Sequence, residues 1–466
     1  MQEYYNESKH RGAKHISTVF LIPCQGRKPG KGPSPKVMRG THPPGSAAKQ
    51  VRDCHTVNQC VALCYMQYDI ILHFVPVFKP VFLLSVQFFY GNTHRYKEGY
   101  RERKVLVRMK QYNVGVIGAT GMVGQRFITL LENHPWFNLV ALAASARSAG
   151  KTYEEAVGSR WLMQTPMPES VKKMVVLDAA NVEEVASKVD FVFCAVNMKK
   201  DEIKALEEAY AKAECPVVSN NSAHRFTPDV PMVVPEINAD HLEIIPAQRK
   251  RLGTKRGFVA VKSNCSLQSY VPALHPLRKY GITDVLVCTY QAISGAGKTF
   301  DTFPDILDNV IPYIGGEEEK SEQEPLKLWG RIENDKIVPA TAPRFTAQCL
   351  RVPVSDGHMG AVFVRFENKP SKEEILQAWK EFHGPAQDLN LPSAPKQFLH
   401  YFEENDRPQP KHDRMLENGM AVSIGRLRED TQYDYKFVCL SHNTLRGAAG
   451  GGVLLAELLA AKGYFD

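Results

Sequence analysis

At 466 residues the chain has room for two or three domains that each bury a core. Hydrophobic residues at 44% and charged residues at 23% describe an ordinary globular protein and exclude a low-complexity or fully charged chain. The formal charge of +8 does not call for a nucleic-acid partner, because residues 1–108 hold 17 Lys/Arg against 6 Asp/Glu and the remainder is slightly acidic.

Residues 1–108 differ in kind from the rest of the chain. They are basic and interrupted by Pro and Gly from Arg27 to Gly45, then apolar and aromatic from Ile70 to Tyr90. His73, Pro76, Lys79 and Pro80 within that run make it a poor membrane helix. Glu3 and Glu7 in a non-periodic stretch do not fit a transit peptide. This segment reads as an atypical extension, either a disordered tail or a gene-model artefact upstream of a start at Met109, with organellar targeting and a membrane or partner segment as lesser alternatives. Cys54, Cys60 and Cys64 lack the paired C-x-x-C spacing of a zinc site, so no metal is expected. The remaining cysteines read as reduced thiols of a cytoplasmic protein.

From Met109 the pattern becomes regular. Asn113–Ile117 reads as a strand and Val123–Glu132 as a helix, with Leu139–Ala144 and Met174–Leu177 as further strands. Val182–Val189 reads as a helix, Phe191–Val196 as a strand and Asp201–Ala213 as a helix, with short strands at Val217-Val218 and Val233-Val234. Such alternation predicts a doubly wound parallel sheet of the Rossmann type. After Asn264, long alternating runs at Asp284–Ala292, Gly360–Glu367 and Tyr435–Leu440 predict an α+β domain with a mainly antiparallel sheet. The expected division is 109–263 for the nucleotide-binding domain, completed by a helix in 443–466, and 264–442 for the α+β domain.

Between the first strand and helix lies Gly118-Ala119-Thr120-Gly121-Met122-Val123-Gly124. Glycines at a strand-to-helix turn let backbone amides approach a pyrophosphate at a helix N-terminus, which points to a dinucleotide. An NAD enzyme places Asp or Glu after the second strand, whereas Ser145, Arg147, Ser148 and Lys151 stand here with no acid among them. Hydroxyls and cations suit a 2′-phosphate, so NADP is the expected cofactor.

Ser263-Asn-Cys265-Ser leads into a helical stretch, Leu267–Tyr280. A thiol at a helix N-terminus is expected to have a lowered pKa and to act as a nucleophile. Gln291 ends a strand before a turn of small residues, and Arg351 and His358 stand seven positions apart around another. Cysteine, histidine and a nicotinamide cofactor together suit thioester and thiohemiacetal chemistry.

At these residues the chain resembles the aspartate-semialdehyde dehydrogenase family, in its archaeal and fungal branch. The motifs GATGMVG, RSAGK, SNNSAHR, SNCS, QAISGAG, EEEK, RVPVSDGH and HNTLRGAAG occur in family order across residues 109–466. The resemblance implies Cys265 as nucleophile, His358 as general acid/base at a pKa near neutrality, and Gln291 as the residue that orients the acyl group. It implies Arg351 for the substrate carboxylate, Arg225 and Lys320 for phosphate, and Glu317 or its neighbour Glu318 for the substrate ammonium. Ser294, Gly295 and Asn443 would contact the cofactor near the nicotinamide, while His224 and His442 are expected to be structural. The implied reaction is reduction of aspartyl phosphate to aspartate semialdehyde with NADPH, on the route to lysine, threonine, methionine and isoleucine. A homodimer or homotetramer is implied, with 264–442 as the catalytic and dimerisation domain and no nucleic-acid or membrane partner. Malonyl-CoA or succinyl-CoA reduction and a non-catalytic NADP-binding regulator stand as alternatives, with acetylglutamyl-phosphate reductase and glyceraldehyde-phosphate dehydrogenase as more distant ones.

Overall fold

The computed structural model describes residues 110–466, so the expectations for residues 1–108 lie outside the described residues. Seven short strands form one parallel sheet in the order β3-β2-β1-β4-β5-β7-β6. They are β1 Tyr112–Ile117, β2 Phe137–Ala144, β3 Leu177–Asp178, β4 Phe191–Cys194, β5 Val217–Ser219, β6 Met232–Val233 and β7 Val259–Lys262. The central strands are buried along their length except at Asn113, near the start of β1, as unbroken apolar runs require when both faces of a parallel sheet are covered. The helix Met122–Leu131 packs on this sheet with Phe127, Ile128 and Leu131, a helical repeat of apolar positions. The strand order reverses between β1 and β4, which opens a crevice at their carboxyl ends.

The last helix, Gly450–Ala461, returns to this sheet and is buried from Gly450 to Ala460. Gly452 lies against the ring of Phe127, leaving no space for a Cβ. Beyond the helix, Phe465 stacks on Phe191 with centroids 4.1 Å apart, so the C-terminal segment completes the core of the first sheet.

The second sheet has six strands in the order β11-β8-β12-β15-β14-β13. Its members are β8 Ile282–Gln291, β11 Arg344–Arg351, β12 His358–Phe366, β13 Leu399–Phe402, β14 Val422–Glu429 and β15 Tyr435–Ser441; β9 Arg331–Glu333 and β10 Lys336–Val338 form a separate hairpin. Alternation along β8 and β12 buries one face against the helices Leu267–Leu274 and Lys372–Glu381. The latter helix opens with a capping box of Ser371 and Glu374.

Several expectations shift. The second sheet is mainly antiparallel as expected, but its outermost strands β11 and β13 pair parallel with their neighbours. A parallel β8–β11 pair needs a crossover, and the helix Glu317–Leu328 supplies it. The long helix expected from Leu267 to Tyr280 stops at Leu274 and continues as a 3₁₀ turn, with Pro272 and Pro276 removing amide donors. The third strand begins at Leu177, and Val175 forms only an isolated bridge with Thr152. The helix expected at Val182–Val189 ends at Ala186.

Candidate active site

Cys265 sits where the chain leaves β7 of the parallel sheet and enters the helix Leu267–Leu274 beneath the mixed sheet. A cavity of about 240 Å³ opens beside it, lined from the parallel-sheet side by Val123, Asn220, Arg225 and Lys262. From the other side come Ser294, Gly295, Glu317, Lys320 and Asn443. Residues separated by more than 300 positions thereby meet at one thiol.

His358 begins β12 and is fully buried, with Nε2 3.4 Å from Cys265 Sγ. Its Nδ1 accepts the Ala292 amide at 3.0 Å, so a neutral ring carries its proton on Nε2. Burial, reinforced by Arg351, pushes its pKa down to about 3. The near-neutral value expected from the sequence is therefore corrected: His358 stands as a neutral N–H donor. The thiol departs from expectation in the same way. Burial and the Glu317 charge hold the Cys265 thiol above its ordinary value, against the opposing pull of Lys262, Arg225 and Arg351. Desolvation outweighs the helix terminus, which begins two residues further on.

The helix Glu317–Leu328 turns one face of its acids inward. Gly316 adopts a left-handed φ of 72° to start it, and Glu317 and Glu324, two turns apart, are both buried. Glu324 accepts the Asn264 amide at 2.6 Å and pairs with Arg225 Nη1 at 2.9 Å. Glu317 accepts from Asn264 Nδ2 at 3.0 Å and from Gln291 Nε2 at 3.3 Å, and pairs with Lys320 Nζ at 2.6 Å. Burial works against the charge of Glu317, but Lys320 and these amides outweigh it and hold the carboxyl below its ordinary value. Glu318 turns elsewhere, to Gln348 Nε2 and the Cys349 amide, which separates two acids the sequence left equivalent. Gln291 is buried at the end of β8. Arg351, at the end of β11, donates to the Ala292 carbonyl at 2.8 Å. Gly295 is packed so closely that an added Cβ would lie 3.0 Å from both Arg351 Nη1 and His358 Nε2.

The glycine turn follows β1 as expected. Gly118 has a φ of +85°, and a Cβ there would lie 2.4 Å from the Ala195 carbonyl oxygen. A Cβ on Gly124 would meet the Gly118 carbonyl oxygen at 2.3 Å. No side chain caps the helix at Gly121, so first-turn amides face the crevice. Ala119 is fully buried and Thr120 lies in the turn. Val123 lines the Cys265 cavity, whereas Met122 lines a neighbouring one with Arg126, Lys298 and Arg414; Ser294 belongs to both. After β2, Ser145, Arg147 and Lys151 are exposed, but Ser148 is buried in the loop. Asn443 bridges the two sides, accepting the Gly357 amide at 2.8 Å and donating to Ser294 Oγ at 2.8 Å.

His224 bonds Thr227 Oγ1 at 3.0 Å, and His442 Nδ1 accepts the amides of Thr444 and Leu445 at 3.3 Å, both local structural contacts. Sequence reasoning missed Lys262, Asn264 and Glu324. The seven-residue spacing of Glu317 and Glu324 around Ser321 was a usable signal of one buried helix face. It also missed Lys327, whose Nζ donates to the carbonyls of Arg225, Thr227 and Val230 at 2.6, 2.9 and 2.9 Å and so ties down the Arg225 loop.

Two family models match the chain: the semialdehyde dehydrogenase NAD-binding domain over residues 113–245 and the semialdehyde dehydrogenase dimerisation domain over 274–446. The aspartate-semialdehyde dehydrogenase of Saccharomyces cerevisiae is 46% identical over 363 residues, which cover 75% of this chain and 97% of that protein. Its counterpart in Archaeoglobus fulgidus is 44% identical over 351 residues, covering 75% of this chain and 98% of that protein. The crystal structure of the Candida albicans enzyme with NADP superposes with a TM-score of 0.69 at 40% identity, covering 76% of this chain and all of that one. With both domains matched and near-complete coverage of such relatives, the chain belongs to the aspartate-semialdehyde dehydrogenase family.

Proposed function

We propose that the chain reduces L-aspartyl 4-phosphate to L-aspartate 4-semialdehyde with NADPH, through a thioester on Cys265. The observation that carries this reading is the cavity in which Cys265 Sγ stands 3.4 Å from His358 Nε2, with Arg225, Lys320 and Lys262 around it. A thiol, an N–H donor and a cluster of cations are what transfer of an acyl group from phosphate to sulfur needs.

The residues present fit a dinucleotide. The crevice between β1 and β4 admits no side chain at Gly118 or Gly124, and the first-turn amides of the helix Met122–Leu131 suit a pyrophosphate. Arg147 and Lys151, exposed beside Ser145 with no acid in the loop, suit a 2′-phosphate. Ser294, Gly295 and Asn443 would place the nicotinamide end beside Cys265. The bound cofactor supplies hydride to the acyl carbon.

The chain's own groups do the rest. Arg351 holds the substrate α-carboxylate by its guanidinium, and Glu317 receives the ammonium. The Cys265 sulfur attacks the acyl carbon as the thiolate, its proton having gone to solvent; the carbon–sulfur bond forms, the carbon–oxygen bond to phosphate breaks, and Arg225 and Lys320 stabilise the departing anion. Gln291 orients the resulting thioester. The Nε2–H of His358 donates a hydrogen bond to the oxygen that becomes anionic as the acyl carbon accepts hydride; the carbon–sulfur bond then breaks, the carbonyl of the aldehyde re-forms, and the sulfur leaves as the Cys265 thiolate. Self-association through the outer face of the mixed sheet fits the match to a dimerisation domain, and Tyr290 is 39% exposed on that sheet.

The test uses the full chain supplied with aspartate semialdehyde, phosphate and NADP, followed at the NADPH absorbance band. Phosphate-dependent NADPH formation that disappears in Cys265→Ser supports the reading. A signal that needs coenzyme A in place of phosphate overturns it in favour of an acyl-CoA reductase.

A further inference from the structure

Lys262 is the last residue of β7 and is 2% exposed, three positions before Cys265. Its Nζ donates to the carbonyl of Ser263, and it lines the same cavity as the thiol. Every nearby carboxylate is already engaged. Glu324 pairs with Arg225 and accepts the Asn264 amide, Glu317 pairs with Lys320, and Glu236 forms a two-pronged pair with Arg446. Among the described residues Lys262 has no carboxylate within ion-pair distance. Its stem is fixed as well, because the first turn of Gly450–Ala461 crosses it with Gly451 facing Cε.

A buried ammonium without a counter-ion is costly and is retained where an anion comes to it. The cavity offers one such anion from the protein itself. The Ala292 amide keeps His358 from acting as the counter-charge, since Nδ1 is an acceptor and an imidazolium would need a second donor there. We propose that Lys262 is the counter-ion of the Cys265 thiolate, a positioning residue that favours the ionised form in which the sulfur attacks the acyl group. The groups that face this pair are Arg225, Arg351 and Arg446 as cations and Glu317 and Glu324 as anions, with His358 neutral. Burial, with Arg225 beside it, lowers the Lys262 pKa to about 7, and a thiolate at Cys265 draws it back up, so the two groups favour each other's charged forms.

The inference rests on Cys265 being the nucleophile, and the experiment reads the thiol directly so that the two ideas fail separately. The rate of iodoacetamide alkylation at Cys265, followed by mass spectrometry of its peptide, is measured against pH in the full chain without substrates. Lys262→Met keeps the stem and removes the charge; it is expected to move the alkylation midpoint up by about one pH unit and slow the reaction about tenfold at pH 7. Lys262→Arg is expected to restore most of the rate, which a packing role alone would not produce. Circular dichroism confirms that both variants fold, and a variant that does not fold is replaced by Lys262→Gln with the same expectation. An alkylation profile unchanged in a folded Lys262→Met or Lys262→Gln overturns the proposal, even if the affinity for inorganic phosphate falls. Full catalytic turnover in Cys265→Ser overturns the nucleophile reading instead, whatever the alkylation shows.

Discussion

The amide of Ala292 donates to Nδ1 of His358 at 3.0 Å, and this one bond decides which ring nitrogen faces the cysteine. With Nδ1 an acceptor, the proton of the neutral ring lies on Nε2, toward Sγ 3.4 Å away. Burial and Arg351 hold the ring neutral, with its pKa down to about 3. Nitrogen-15 spectra of His358 are expected to keep the Nε2–H tautomer from about pH 8 to pH 5, well above that folded pKa. An imidazolium appearing in that range would refute the donor role. His358→Ala is expected to lower kcat by about 10²–10⁴-fold.

Glu317 and Glu318 are adjacent in sequence and opposite in surroundings. Glu317 lies against Asn264, Gln291 and Lys320, while Glu318 is engaged by Gln348 and Cys349. Glu317→Gln removes the charge proposed to meet the substrate ammonium and is expected to raise KM for the semialdehyde by about tenfold or more. Glu318→Gln is expected to leave KM within about twofold. Steady-state kinetics on the two variants decides the assignment, and the reverse order would transfer the role to Glu318.

Gly295 is kept free of a side chain by the groups it touches rather than by its backbone. An added Cβ meets Arg351 Nη1 and His358 at 3.0 Å, at the working ends of both side chains. Gly295→Ala is therefore expected to reduce kcat/KM by about tenfold or more while the melting temperature stays within about 2 °C. Loss of stability with kcat/KM intact would show that the site has room there.

Acid stability is set by the histidines. Burial lowers the pKa of His358 to about 3 and those of His275 and His442 to about 4. In the unfolded chain each takes up a proton near pH 6.5, and in the folded chain none does until far lower pH. Stability is thus complete above pH 6.5 and declines as pH falls toward the folded values, by about 1.4 kcal/mol per histidine per pH unit. Urea unfolding at pH 7 and pH 5.5 measures the decline. His275→Gln, away from the cavity, should flatten it by one histidine's share, and an unchanged slope would mean His275 is solvated.

The parallel core was readable because buried strands in such a sheet are continuous apolar runs, as in Val114–Ile117 and Phe191–Cys194. The glycine turn was readable because a Cβ at Gly118 or Gly124 collides with backbone, a purely local demand. The ends of elements were less legible: Pro276 and Ser187 cut helices short where the hydrophobic period alone ran on. Parallel pairing of β8 with β11 was not readable at all, because it depends on a crossover of more than fifty residues whose path is set by packing.

The sequence by itself determined the alternation of strands and helices, the glycine turn and the set of residue types that the proposed chemistry at Cys265 requires, since each is written in local spacing. Only the tertiary structure decided their charge states and company. It buried His358 and half-buried Cys265, so that desolvation lowered the one pKa and raised the other, turned Glu317 inward and Glu318 away, and placed Lys262 in the cavity of the thiol without an ion-pair partner. The physical reason is that ionisation depends on solvent and on charges delivered by distant segments, and neither can be read from neighbouring letters in the chain.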